Sequence, residues 1–319
     1  MAFVWRIEWV PYANASETDC GHLAALHFDG IGFRIRWAIS TTSILGAVHL
    51  SRKGPAMILD VSVDLHYTAP TETDLILQIE VPDFADQEIL SEDFSLSPTK
   101  HAARIVGEDG LGVRRLLRID GKLECAYRSR IKVDRPALDI TQLDATPPHI
   151  LPSNTIRYLM PSRYCQSDQM QSFVGAEFGH ITGGSRIAAM RDWVFEHYTY
   201  DAGFSTAATT AIDTFVQRRG VCRDFAHVII TLARASAIPA RFVSVYAPYV
   251  TPQDFHAVAE VFLDGTWHLV DATGMAAANQ IARIAVGADA AEVPFLTSFG
   301  RMDMQSQNVG VLISDGSQK

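Results

Sequence analysis

Cysteine is scarce in this chain. Its 319 residues hold four, Cys20, Cys125, Cys165 and Cys222, spread too widely for the disulfide framework of a small secreted domain. They form no CxxC pair, and HExxH is missing, so the usual zinc signatures are absent. An EF-hand calcium loop is absent too. Positive charge is also in short supply: 27 Lys and Arg against 36 Asp and Glu leave a formal charge of −9. A chain without a basic footprint is not expected to have nucleic acid as its main partner. No run approaches the roughly 18–20 apolar residues that span a bilayer. The opening MAFVWRIEWV lacks the basic region, apolar run and small-residue cleavage site of a secretory leader. These absences predict a cytoplasmic protein with no membrane partner. Asn14-Ala15-Ser16 fits a glycosylation sequon, a triplet common by chance and out of place in that compartment.

Apolar material is plentiful. At 48% hydrophobic and 20% charged, the composition is globular and supports one large core or two ordinary ones. Residues 1–56 stand apart from the rest of the chain. They carry three of the five tryptophans (Trp5, Trp9, Trp37), show little periodicity, and end in Lys53-Gly54-Pro55-Ala56. They are either an extra element with its own packing or the product of an over-long gene start, with Met57 as the true beginning. From Met57 the pattern becomes regular: Leu59, Val61, Val63, Leu65 and Tyr67 alternate with polar residues, as a half-buried strand requires. Leu75, Leu77, Ile79 and Val81 alternate likewise. Arg115–Ile119 and Lys122–Val133 flank Asp120-Gly121, a two-residue hairpin signal. Residues 57–145 therefore read as an antiparallel, β-sandwich-like domain, expected to shape one wall of a cleft or to bind a partner. A connection bearing Pro147-Pro148 marks a boundary, and 154–319 read as a second, α+β domain.

In that second part, Ile187, Met190, Trp193 and Val194 share one face of a helix predicted over 187–198. Another helix is expected from Thr209 to Arg219, opened by a capping box of Thr210 with Asp213 and stopped by Gly220. Phe225, Val228, Ile229, Leu232 and Ala233 then place a third helix from about Cys222 to just short of Pro239. Cys222 falls in its first turn. Unpaired backbone N–H groups and the helix dipole favour negative charge there, so a cysteine at that position tends toward the nucleophilic thiolate. Arg223 adds positive potential. The alternative is that Cys222 is a small buried residue plugging a helix start.

Strands come next at 241–246, 257–263 and 266–272. Asp264-Gly265 is a two-residue turn, and with Leu263 opposite Thr266 the paired positions sum to 529. Val258 then faces Asp271, and His256, two residues earlier, shares its face. His256 and Asp271 become diagonal neighbours, roughly 7–8 Å apart and within side-chain reach. A one-residue slip would separate them. Imidazole beside carboxylate is what a nucleophilic cysteine needs: the ring takes the thiol proton and the carboxylate fixes its tautomer.

GVCRDFAH at 220–227, FHAVAEVF at 255–262 and WHLVDAT at 267–273 resemble the transglutaminase-like superfamily, and among it the bacterial members with a β-rich N-terminal domain. The resemblance covers 187–273 well and 57–140 by general character; residues 1–56 find no counterpart. It implies a papain-like α+β core with Cys222 as nucleophile, His256 as base and Asp271 as orienting acid. The chemistry implied is cofactor-free acyl transfer on a peptide or protein substrate through a thioester, with hydrolysis favoured over transfer to an amine. Two positions depart from the family pattern. Val258 stands where an aromatic residue is common, which would open the wall beside the histidine, and Ala272 replaces a frequent proline after the aspartate.

Asp224 is expected to anchor the loop before the helix. His227, five residues after Cys222, points about 140° away and is not expected to be the base. The Cys222 N–H is the expected oxyanion donor, with Gln217 and Tyr200 as candidates for a second. Two rivals remain: a non-catalytic binding module of the same shape, and a metal site built from Cys222, His256 and Asp271.

Overall fold

The computed structural model describes residues 56–314; the question posed by residues 1–56, extra element or over-long start, falls outside them apart from Ala56. The described residues begin with four strands, β1 (Met57–Leu77), β2 (Gln87–Leu96), β3 (His101–Val106) and β4 (Val113–Val133). After the proline-bearing connection come α1 (Gln171–Phe178), α2 (Gly183–His197), β5 (Thr199–Tyr200), α3 (Ala211–Gln217), β6 (Arg219–Gly220) and α4 (Cys222–Ala235). The remaining strands are β7 (Ala240–Tyr246), β8 (His256–Leu263), β9 (Thr266–Val270), β10 (Ala282–Gly287), β11 (Leu296–Ser298) and β12 (Asp303–Ser314). The fold is α+β with antiparallel sheets, as the sequence pattern implies.

The alternation seen from Met57 is the inward face of β1: Leu59, Val63 and Leu65 are fully buried, with Val61 and Tyr67 nearly so. Two 21-residue strands, β1 and β4, form the spine of a six-stranded sheet. Where the first half of β1 pairs with the second half of β4, the two lie between β12 and β2; at the other end they lie between β11 and β3. The sheet thus takes strands from both ends of the described chain.

Asp120-Gly121 does not make the expected hairpin. The chain runs straight through it, because both of its arms pair with β1 instead of with each other. The register slips between Ala69 and Thr73 opposite, and Gly121 adopts φ of 85°. The left-handed glycine therefore serves a bulge that bends a long strand. Local turn chemistry was outweighed by a partner some 50 residues away in sequence.

The second sheet runs β10-β7-β8-β9, with the Leu263–Thr266 and Phe262–Trp267 register that the Asp264-Gly265 turn predicts. Helix α4 packs across β7 and β8 and is buried almost throughout. Polar groups tie the two sheets together. Tyr246 donates its hydroxyl to the Ile79 carbonyl at 2.7 Å, and the Gln87 side chain bonds both the N–H and the carbonyl of Arg283. The Arg283 guanidinium pairs with Glu260, at 2.9 Å, and with Asp86. A buried network of this kind, in which only the Arg283 Nε goes without a partner among the described residues, favours one docking arrangement of the sheets. Among the described residues no helix is long and apolar enough to cross a membrane.

Candidate active site

Helix α3 opens on the expected capping box, Thr210 with Asp213, but it ends differently from the sequence expectation. The left-handed residue is Arg218, at φ of 58°, and Gly220 lies beyond it in β6. The need for glycine at 220 is steric: a Cβ there would sit 2.7 Å from the Asp224 Cβ and 2.8 Å from its Oδ2. That carboxylate is fully buried, accepts the Val221 N–H at 2.9 Å and pairs with Arg223. Asp224 thus closes the turn that delivers Cys222 to the start of α4, the anchoring role expected of it.

Cys222 is the first residue of α4 and is partly exposed, whereas Cys125 and Cys165 are buried. Burial pushes the Cys165 thiol up to about 12 and the Cys125 thiol likewise, so neither is a nucleophile at neutral pH. His256 opens β8 and Asp271 follows β9 directly. The His256 Nε2 lies 3.1 Å from Asp271 Oδ2, and both side chains are almost completely buried. The Nδ1 atom has no hydrogen-bond partner among the described residues, and Cys222 stands beside the ring on the wall of the same cavity, near enough to raise its pKa. With Nε2–H donated to Asp271, the tautomer leaves Nδ1 for the thiol. Burial opposes charge on His256, but the hydrogen bond to Asp271 and the neighbouring Cys222 outweigh it and raise the pKa to about 10. Burial likewise opposes ionisation of Asp271, and the His256 bond and the Thr273 donors reverse that and hold it below its ordinary 3.8.

The aspartate is gripped from its own loop. Its oxygens accept the Thr273 N–H at 2.8 Å, the Thr273 hydroxyl at 2.7 Å and the Ala276 N–H at 2.9 Å. Sequence reasoning passed over Thr273, although Asp-x-Thr is a spacing at which a carboxylate folds back on its own turn. Ala272 is 3% exposed and packs in the core, so the missing proline leaves the turn intact. Val258 is buried with Val243, Val245 and Leu269. It does not border the cavity beside Cys222, and the expected opening of the wall does not arise from it.

Of the two candidate donors, Gln217 is exposed on α3. Tyr200 is brought in. The two-residue parallel ladder of β5 and β6 sets it opposite Gly220, close enough to Cys222 for the two side chains to interact electrostatically. Burial, with Cys222 adding to it, raises the phenol pKa, so Tyr200 is a neutral donor at working pH.

His227 is fully buried in α4, stacked on Tyr164 at 5.0 Å between ring centroids, with Nε2 accepting the Ala290 N–H at 3.2 Å. Burial lowers its pKa to about 3. Below its ordinary 6.5 the unfolded chain takes a proton that the folded chain refuses, so stability should fall as pH drops from about 6.5 toward about 3. The slope due to this group is about 1.4 kcal/mol per pH unit. Urea midpoints at neutral and acid pH should show a shallower decline in His227→Gln; an unchanged slope would refute this.

Thiol, imidazole and carboxylate stand in line instead of converging on a point, and among the described residues no group of three or more His, Cys, Asp or Glu could hold a metal ion. Chemically, a thiol, an imidazole and a carboxylate in this order can pass a proton between sulfur and ring while the carboxylate stabilises the charge.

A family model described as the transglutaminase-like superfamily matches residues 176–272. A crystal structure of a candidate cysteine protease from Cytophaga hutchinsonii is similar over 84% of this chain and 94% of its own, with 31% identity and a TM-score of 0.79. An uncharacterized protein of Mycobacterium leprae is 26% identical over 145 residues, 42% of this chain. The match spans 52% of that curated relative's length. The periplasmic domain of TgpA from Pseudomonas aeruginosa is 19% identical, with a TM-score of 0.37, over 67% of this chain and 76% of that one.

Proposed function

Because the chain belongs to the transglutaminase-like superfamily and is a papain-like cysteine enzyme, we propose that it is a peptidase or amidase working through Cys222, His256 and Asp271. The observation that carries this reading is the buried His256 ring bonded to Asp271 at 3.1 Å, with its unbonded Nδ1 and the Cys222 side chain on the wall of one cavity. The Cys222 sulfur, its proton held by His256, attacks the amide carbonyl. Negative charge develops on the carbonyl oxygen, and the Cys222 N–H and the Tyr200 hydroxyl would stabilise it. The imidazolium returns its proton to the departing amine, leaving a thioester on Cys222. His256 then takes a proton from water, hydroxide equivalent adds to the thioester, and the acid leaves as the thiol is regenerated. Asp271 holds the ring in the tautomer that both steps use.

Transfer of the same acyl group to an amine would give a transglutaminase, and a module that only binds peptides would use the cleft without the chemistry. Labelling separates the readings. Iodoacetamide should modify Cys222 readily at mildly acid pH in the wild type and at least about tenfold more slowly in His256→Ala, since the ring no longer removes the proton. Equal rates in the two proteins would favour the binding module. Peptide amides incubated with and without an added amine then distinguish hydrolysis from transfer by product mass.

A further inference from the structure

Beside Cys222 lies a cavity of about 370 Å³, within the range of small-molecule sites. Its wall is aromatic, formed by Phe242, Phe255 and Phe295, the last two stacked with ring centroids 4.6 Å apart. Two polar groups on this lining stand out: a hydroxyl with no hydrogen-bond partner and a carboxylate with no cation, both among the described residues. Ser244 is 8% exposed, and its Oγ has no hydrogen-bond partner among the described residues. A buried hydroxyl in that state is disfavoured until an incoming group meets it.

The second is Asp254, an exposed residue two positions before His256. Its Oδ1 accepts the Phe255 N–H and the Gln307 side-chain amide, each at 2.7 Å. Both donors are neutral, and no cation pairs with Asp254 among the described residues. The arginine on the same lining, Arg223, is occupied by Asp224, Ser205 and the Thr206 carbonyl. Nor is the carboxylate free to swing. Gln307 belongs to β12 and its own oxygen accepts the Tyr67 hydroxyl of β1 at 3.3 Å, so the first sheet holds Asp254 in place.

An apolar wall, one unmet hydroxyl and one fixed, unpaired carboxylate select a definite chemistry. Resting on the reading of Cys222 given above, we propose that this cavity is the specificity pocket for an acyl donor bearing an aromatic side chain beside a protonated amine. The ring packs on Phe242 and Phe295, Ser244 Oγ supplies the neutral polar contact, and Asp254 holds the ammonium. Asp254 and Ser244 are then specificity residues, and the first sheet takes part in substrate selection through Gln307.

The test is protection of Cys222 from iodoacetamide in the full-length protein, read by peptide mapping. Phenethylammonium, phenethyl alcohol and phenylpropionate share one ring and differ in charge. The ammonium should protect at a concentration at least about threefold below the alcohol, the scale of a partly exposed ion pair, and the carboxylate should protect worst. High salt should narrow the gap, and Asp254→Asn should remove it. Equal protection by the three probes, or a preference that survives Asp254→Asn, overturns the proposal. The comparison of probes in the wild type needs no substitution, so a variant that fails to fold does not decide the outcome. Because labelling is read and not turnover, the two claims fail separately. Charge-ordered protection in a protein that cleaves no amide sinks the catalytic reading and leaves the pocket; amide cleavage without charge-ordered protection does the reverse.

Discussion

Cys222→Ala should lower amide hydrolysis by at least about a thousandfold, the scale on which removal of a covalent nucleophile is felt. Neither of the other two cysteines among the described residues can replace it, since burial keeps the thiols of Cys125 and Cys165 protonated. Cys222→Ser should be nearly as inactive, because a hydroxyl in the same place is a far weaker acid than a thiol. Stability is expected to change by less than about 1 kcal/mol, as Cys222 is partly exposed and fills little of the core. Intact-protein mass spectrometry of the reacting enzyme should show an acyl adduct in the wild type and none in either variant. Activity retained in Cys222→Ala would end the proposal that this residue forms a thioester.

Loss of Asp271 should damage fold and rate together. The side chain is almost fully buried and accepts from His256 Nε2, from the N–H and hydroxyl of Thr273 and from the Ala276 N–H. In Asp271→Ala the charged His256 ring and three donors lose their acceptor, at a cost of about 3–5 kcal/mol. In Asp271→Asn the amide oxygen can still serve Thr273, but its NH₂ group then faces the Ala276 N–H and His256 Nε2 and asks the ring to accept. The ring proton moves to Nδ1, the side that should take the thiol proton, and hydrolysis should drop by about 10²–10⁴-fold with the shape preserved.

The pH dependence has a definite sign. His256 is raised from 6.5 to about 10, so its stabilising contribution is full below about 6.5 and lost as pH rises through about 10. Asp271 is lowered from 3.8, so its contribution is full above about 3.8 and lost as pH falls further. The stability gap between wild type and Asp271→Ala should therefore be widest between about pH 4 and 6.5. Denaturant titrations across pH would show this, and a gap independent of pH would contradict the ionic pairing of the two residues.

Much of this site could be read before any coordinates, and the reason is local. The capping box at Thr210, the apolar spacing of α4 and the Asp264-Gly265 turn each draw on residues within one or two turns of chain. The turn is the most informative of these. A two-residue loop has a single register, so the pairing of Leu263 with Thr266 propagates outward until His256 and Asp271 share a face. Where the same dipeptide occurs at Asp120-Gly121 the prediction fails, because β1 offers each arm a longer partner than the other arm does.

By itself, then, the sequence determined which segments are helix and strand around the site, that Cys222 begins a helix, and that a histidine and an aspartate would meet across one hairpin. Those are consequences of periodicity and short-range sterics. Only the tertiary structure decided the rest. It brought Tyr200 to Cys222 through a two-residue ladder across 20 positions, returned β11 and β12 to the first sheet, and set Gln307 against Asp254 across 53. These contacts depend on burial against distant partners, where no periodicity in a single strand records which other strand will cover it.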